Sequence, residues 1–180
     1  MDQSCAARVL VVVASRHGAT AEIAAAVAEG IRSRLPLAEV TVRPAAEVSD
    51  VAGVDAVVVG SAVYLGHWLE EAREFLLRCA VPLWELPVWI FSSGPLGIPP
   101  RPAEVFLDVD EIRRLSRARE HRLFPGRLDP DLLDFPERAL AAALRVPEGD
   151  FRDMAVAREW GAAIGAALAG LAADAEAAAR

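Results

Sequence analysis

Residues 9–20, VLVVVASRHGAT, decide how this chain is read. The apolar run from Val9 to Val13 is unbroken, which predicts a strand buried on both faces, as in the middle of a parallel sheet. A short polar turn follows, Ser15-Arg16-His17-Gly18-Ala19-Thr20, and then a long Ala-rich amphipathic segment. The turn therefore sits at a strand's carboxyl end and a helix's start, where open α/β sheets hold their ligands. Free amides and the positive end of the helix dipole favour an anion there, most often a phosphate.

What the turn lacks narrows the chemistry. A dinucleotide site wants GxGxxG, and only Gly18 is present. A P-loop wants GxxxxGK[ST], and the chain has no lysine: all 19 basic residues are Arg. No acidic residue follows the strand to hold Mg²⁺. What is left is Ser15, Gly18 and Thr20 in S-x-x-G-x-T. Two hydroxyls and a row of amides can wrap a terminal phosphomonoester without a cation. The plain alternative is a capping Thr and a strand-end turn in an ordinary α/β domain.

Outward from this stretch, strand and helix signals alternate about five times. Residues 20–35 predict a helix with Ile23, Val27, Ile31 and Leu35 on one face, ended by Pro36. Residues 39–43 read as an edge strand, 55–60 (DAVVVG) as a second buried strand, and Leu69, Ala72, Phe75, Leu76 and Cys79 mark a helix. Residues 88–92 (VWIFS) are a strand, 109–116 a short helix and 120–124 the last strand. Asp153 is placed to cap a final helix carrying Val156, Trp160, Ile164, Leu168 and Leu171. The pattern predicts an α/β fold with a doubly wound, five-stranded parallel sheet of order 2-1-3-4-5 and helices on both faces. Residues 1–7 are read as a frayed tail, 8–172 as one domain and 173–180 as a fraying end. Residues 125–150 are too long for a simple connection and form an insert before the last helix, with a helical pattern over 136–144.

Composition bounds the rest. The 180 residues are 54% hydrophobic, without a run of ~18 apolar residues. No membrane span and no leader are read. Cys5 and Cys79 make no disulfide framework and imply reduced thiols in a cytoplasmic protein. A net charge of −7 argues against a nucleic-acid partner. The three His and two Cys have no metal-ligand spacing.

All three strong strands end in small polar turns: SRHGAT, SAVYLGH and SSGPLG. In a parallel sheet these ends lie together. The first suits a phosphate. The others offer small residues whose amides can approach a flat ring. Tyr64 is read as a ring stacking on it or as a loop aromatic packed on the surface. Trp68 is read as a helix-start residue covering the core, and His121 as an edge-strand residue with no assigned role.

The signature resembles that of the flavodoxin family: an apolar strand, then [ST]-x-x-[AGC]-x-T, here Ser15, Gly18 and Thr20, followed by Ala24 and Val27. Val13 stands where the family often has an aromatic. GSAVYLGHW is similar to the family's second FMN loop. FSSGPLG, EHRLFPGRLD and GDFRDMAVAREW resemble a bacterial subgroup that includes menaquinone-dependent protoporphyrinogen oxidases. That resemblance spans residues 8–170 and implies FMN as cofactor. It places the cofactor on Ser15, Arg16, His17, Gly18, Ala19 and Thr20, on Ser61, Ala62, Val63, Tyr64, Leu65, Gly66 and His67, and on Ser93, Gly94, Pro95 and Gly97. It also implies that the 125–150 insert serves the oxidase, although here it is shorter, and Tyr64-Leu65 stands where the oxidases tend to carry Arg then an aromatic.

Two functions follow as expectations. One is an FMN-dependent oxidoreductase passing electrons from an organic substrate to a quinone, with no firm catalytic residue and His67 the candidate proton donor. The other is a non-enzymatic one-electron carrier. A scaffold that has lost its cofactor is the third possibility. Leu132, Leu133, Phe135, Leu140 and Leu144 of the insert are expected to pack on the domain, with peripheral membrane contact as the alternative. A redox protein or quinone is the expected partner, and a homodimer stays open.

Overall fold

The computed structural model describes residues 6–94, 108–143 and 146–178. Five parallel strands form the sheet: β1 (Arg8–Ala14), β2 (Glu39–Pro44), β3 (Ala56–Tyr64), β5 (Val88–Ser93) and β6 (Glu120–Phe124), in the order β2-β1-β3-β5-β6. The two-residue strand β4 (His67–Trp68) pairs antiparallel with the end of β3. The expected order holds, with the switch between β1 and β3, so the turns after these strands flank one crevice.

Alternation along each strand divides the core into two layers. Val9, Val11 and Val13 face helices α1 (Ala19–Arg34) and α5 (Met154–Ala178). Leu10, Val12 and Ala14 face α2 (Glu70–Leu83) and α3 (Val109–Ser116). A strand covered on both sides can have no polar face, which is why Val9–Val13 is unbroken. On the first side Phe91, Phe124 and Trp160 meet edge to face, with ring centroids 5.6 to 6.0 Å apart. Gly60 makes room for them: a Cβ there would overlap the Phe91 ring.

The helix that follows the phosphate-type turn is clamped by α5. Gly30 of α1 and Gly161 and Gly165 of α5 bring the two backbones together, and a Cβ on Gly161 would overlap the Val27 carbonyl. Asp153 caps α5 as expected, its Oδ1 accepting from the amides of Ala155 and Val156 at 2.9 and 3.2 Å. The helix runs on to Ala178, and its last residues are exposed and Ala-rich, alanine being the best helix former. Among the described residues α5 is also long and apolar enough to cross a membrane by length and composition, contrary to expectation. Its most apolar 18-residue window has a mean hydropathy of 1.2, and 17% of that window is buried.

The insert folds into β7 (Arg127–Leu128), a 3-10 turn (Pro130–Leu132), α4 (Phe135–Ala143) and β8 (Gly149–Asp150), with β7 and β8 pairing antiparallel at its base. That base is stapled to α1. The buried Arg152 side chain donates to Asp150 at 2.7 and 2.8 Å, to Glu22 Oε2 at 2.9 Å and to the Ala19 carbonyl at 3.2 Å. The Arg152 hydrogen bonds hold the Asp150 carboxyl down to about 2. A carboxylate depressed from ~3.9 contributes stability above that value and loses it as pH falls towards the folded-state value. Acid unfolding of Asp150→Asn is therefore expected to show a shallower loss of stability between pH ~4 and ~2 than wild type. Parallel urea titrations across that range check it.

Candidate functional site

Ser15–Gly18 bend between β1 and α1. Gly18 has φ 82, a left-handed conformation that only glycine adopts freely, and a Cβ built on it would meet nothing within 4 Å. Gly18 also occupies the cap position of α1 and has no side chain to offer, so the first-turn amides have no side-chain cap. Thr20, 2% exposed, lies in that first turn. Ser15 Oγ is buried with no hydrogen-bond partner among the described residues. An orphaned buried hydroxyl costs ~1–3 kcal/mol, and at a helix N-terminus with uncapped amides it fits an anion with oxygens to accept from it.

The second turn differs from expectation. Residues 61–64 continue β3 rather than forming a loop, and the chain reverses at Leu65-Gly66 into β4. Both turn residues have positive φ, 50 and 85, as a two-residue hairpin of this hand requires. Leucine rarely adopts that conformation, so its side chain gave no turn signal. Ser61 is fully buried and spent on structure: its Oγ donates to the Ala62 carbonyl and accepts from the Leu69 amide at 3.0 Å. Trp68 belongs to β4, not to the start of a helix, and does cover the core; its indole N–H donates to Ser92 Oγ at 2.7 Å. Ser92 Oγ is also hydrogen-bonded to His121 Nε2 at 2.9 Å, which braces β5 against β6. Burial, and then Arg113, push the His121 pKa down.

The third turn begins at Ser93, buried, and Gly94, whose φ of 153 and packing 3.1 Å from the Val63 carbonyl (measured to a built Cβ) both call for glycine. Pro95 and Gly97 lie outside the described residues. The structure thus gathers Ser15–Thr20, the β3–β4 hairpin and Ser93–Gly94 at the carboxyl edge of β1, β3 and β5.

Residues 10–154 match the family described as a flavodoxin domain. The chain belongs to the flavodoxin-domain family. No curated protein matches it by sequence. Solved structures share the fold at low identity. A flavodoxin from the domain Archaea is 18% identical with a TM-score of 0.56, over 88% of this chain and 96% of its own. The flavodoxin of Megasphaera elsdenii is 16% identical with a TM-score of 0.57, over 87% and 98%. A flavodoxin-like, WrbA-like protein from Agrobacterium tumefaciens is 15% identical with a TM-score of 0.54, over 90% and 97%.

In this flavodoxin domain the insert supplies a residue that sequence reading missed. Glu137, its side chain 13% exposed, meets Arg16 Nε at 3.1 Å and His17 Nε2 at 3.1 to 3.2 Å. The same carboxylate closes a capping box on α4: it accepts from the Asp134 amide at 3.0 Å while Asp134 accepts from the Glu137 amide at 2.8 Å. Tyr64 lies in the same cluster, with the Arg16 guanidinium 5.6 Å from its ring centroid. Burial, and then the Glu137 carboxylate, raise the Tyr64 pKa, with Arg16 partly opposing. Arg16 and His17 therefore hold the insert rather than standing free.

The insert docks through this charge cluster more than through its apolar residues. Leu133 is buried, but Leu132 is exposed and Phe135 is 77% exposed, correcting the expectation that both pack. Leu144 and the side chain of Leu140 lie outside the described residues. Glu137→Ala removes both the cap and the ion pairs, worth together ~1–2 kcal/mol. Trypsin is expected to cut the variant after Arg138, inside α4, roughly 5–30 times faster than wild type, in proportion to how often α4 opens.

Proposed function

We propose that this protein is an FMN-binding oxidoreductase that passes electrons from an organic substrate to a quinone, in the manner of the menaquinone-dependent protoporphyrinogen oxidases. The orphaned Ser15 hydroxyl beside the uncapped start of α1 carries the reading, since a phosphomonoester satisfies both. Ser15, Thr20 and the amides of residues 16–19 hold the phosphate. The hairpin around Tyr64–His67 and the Ser93–Gly94 turn flank the ring. FMN supplies the redox chemistry when bound; the protein orients it, keeps water from one side and sets its electrostatics. The insert favours an enzyme, because a pure shuttle needs no covered substrate space. The test is turnover of protoporphyrinogen with a menaquinone analogue by the FMN-loaded protein. Turnover above that of free flavin supports the oxidase, and none removes it.

A second reading, a one-electron carrier, is favoured by the near-complete coverage of the two flavodoxins named above. Reductive titration separates the two: a carrier accumulates one-electron-reduced flavin, whereas a two-electron enzyme does not. The expected partner remains a quinone or redox protein met in the cytoplasm.

A further inference from the structure

The β3–β4 hairpin carries a second charged pair that the phosphate reading does not use. Tyr64 and His67 are direct cross-strand partners, so their side chains share one face of the hairpin. Tyr64 reaches towards Arg16 of the phosphate turn. His67, its side chain 49% exposed, places Nδ1 at 2.6 Å from Asp108 Oδ1. Asp108 is 7% exposed, and its other oxygen accepts from the Trp68 amide at 3.1 Å and lies 3.9 Å from Arg73 Nε. Asp108 stands at the cap position of α3, where an aspartate ordinarily caps its own helix, yet it makes no such bond. Its carboxylate is committed to His67 and the hairpin instead.

The chemistry of the pair follows from its donors. An ionised carboxylate only accepts, so the shared proton lies on Nδ1, and Nε2 is the ring nitrogen turned away from Asp108. Among the described residues Nε2 has no protein partner. A half-exposed ring, held by a buried carboxylate on the hairpin where the proposed flavin would lie, is placed to move a proton.

We propose that His67 is the proton-transfer residue of the flavin site and Asp108 the residue that positions it. The proposal rests on the FMN reading above. An organic donor of the dihydro class loses two electrons and two protons on oxidation. FMN, when bound, would supply the acceptor for the electron pair and one proton, and His67 Nε2 would be placed to take the second proton; a quinone would accept the electron pair and both protons. The electrostatics favour this order: negative charge arriving on the ring raises the affinity of the neighbouring imidazole for a proton. Among the described residues the charges facing His67 are Asp108 and Arg73, with Glu111 behind Arg73 at 3.5 Å, and Arg16 and Glu137 beyond Tyr64.

The experiment measures proton uptake on dithionite-free photoreduction of the FMN-loaded protein, with a pH indicator dye. At pH ~7 wild type is expected to take up about one more proton per electron pair than His67→Gln. Nitrogen-15 NMR of the ligand-free protein is expected to show His67 with its proton on Nδ1 in wild type and a mixture of tautomers in Asp108→Asn. Equal uptake by wild type and His67→Gln, both saturated with FMN, overturns the role while leaving the flavoprotein reading intact. Failure of wild type to quench FMN fluorescence overturns the reading and the role together.

Discussion

Replacing Ser15 by alanine is expected to make the ligand-free protein more stable and its grip on FMN weaker. Both effects come from one oxygen. In the ligand-free fold Ser15 Oγ is buried and unpartnered, and such a group destabilises by ~1–3 kcal/mol. Removing it leaves a methyl in a site that needs little else. With FMN bound the same hydroxyl gains a charged phosphate oxygen, a hydrogen bond worth ~1.5–3 kcal/mol. Its loss corresponds to roughly 10- to 150-fold in affinity. Thermal unfolding without ligand is expected to shift up by about 2–4 °C per kcal/mol gained, and the added stabilisation by saturating FMN is expected to shrink. A variant less stable without FMN, with unchanged affinity, would make Ser15 an ordinary structural serine.

The second large effect lies in the seam that holds the phosphate helix. Gly161→Ala is expected to destabilise by ~2 kcal/mol, although alanine is the better helix former by ~1 kcal/mol. The clash outweighs propensity because the new Cβ would overlap the Val27 carbonyl, which is backbone inside a fully buried helix face and cannot swing aside. Gly170 of the same helix is the control: a Cβ there meets nothing within 4 Å, so Gly170→Ala is expected to stabilise by up to ~1 kcal/mol. Urea midpoints of opposite displacement support the seam. Two variants shifted in the same direction would contradict it.

Much of the fold is legible because its signals are local. The strand Val9–Val13 and residues 56–59 of β3 announce double-sided burial by their lack of polar residues, and the alternation with helices then limits the topology. Gly18 is legible because a bend needing positive φ after a buried strand favours glycine. The β3–β4 hairpin was hidden because its left-handed turn begins with leucine instead of glycine or asparagine. Glu137 and Asp108 were hidden for a different reason. Their partners stand 120 and 41 positions away, and no periodicity links residues that meet only after the sheet has formed. Asp134 and Glu137 do carry the spacing of a capping box, which predicts the start of α4 but not the second use of the same carboxylate on Arg16 and His17.

The central claim is that the Ser15–Thr20 bend holds a phosphomonoester of a flavin. Titrating the purified protein with FMN and with riboflavin, which lacks only the phosphate, reads that contact directly by quenching of flavin fluorescence. FMN is expected to bind at least about a hundredfold more tightly than riboflavin, as two or more charged hydrogen bonds require. Equal affinity for the two, or no quenching by either, would contradict the account.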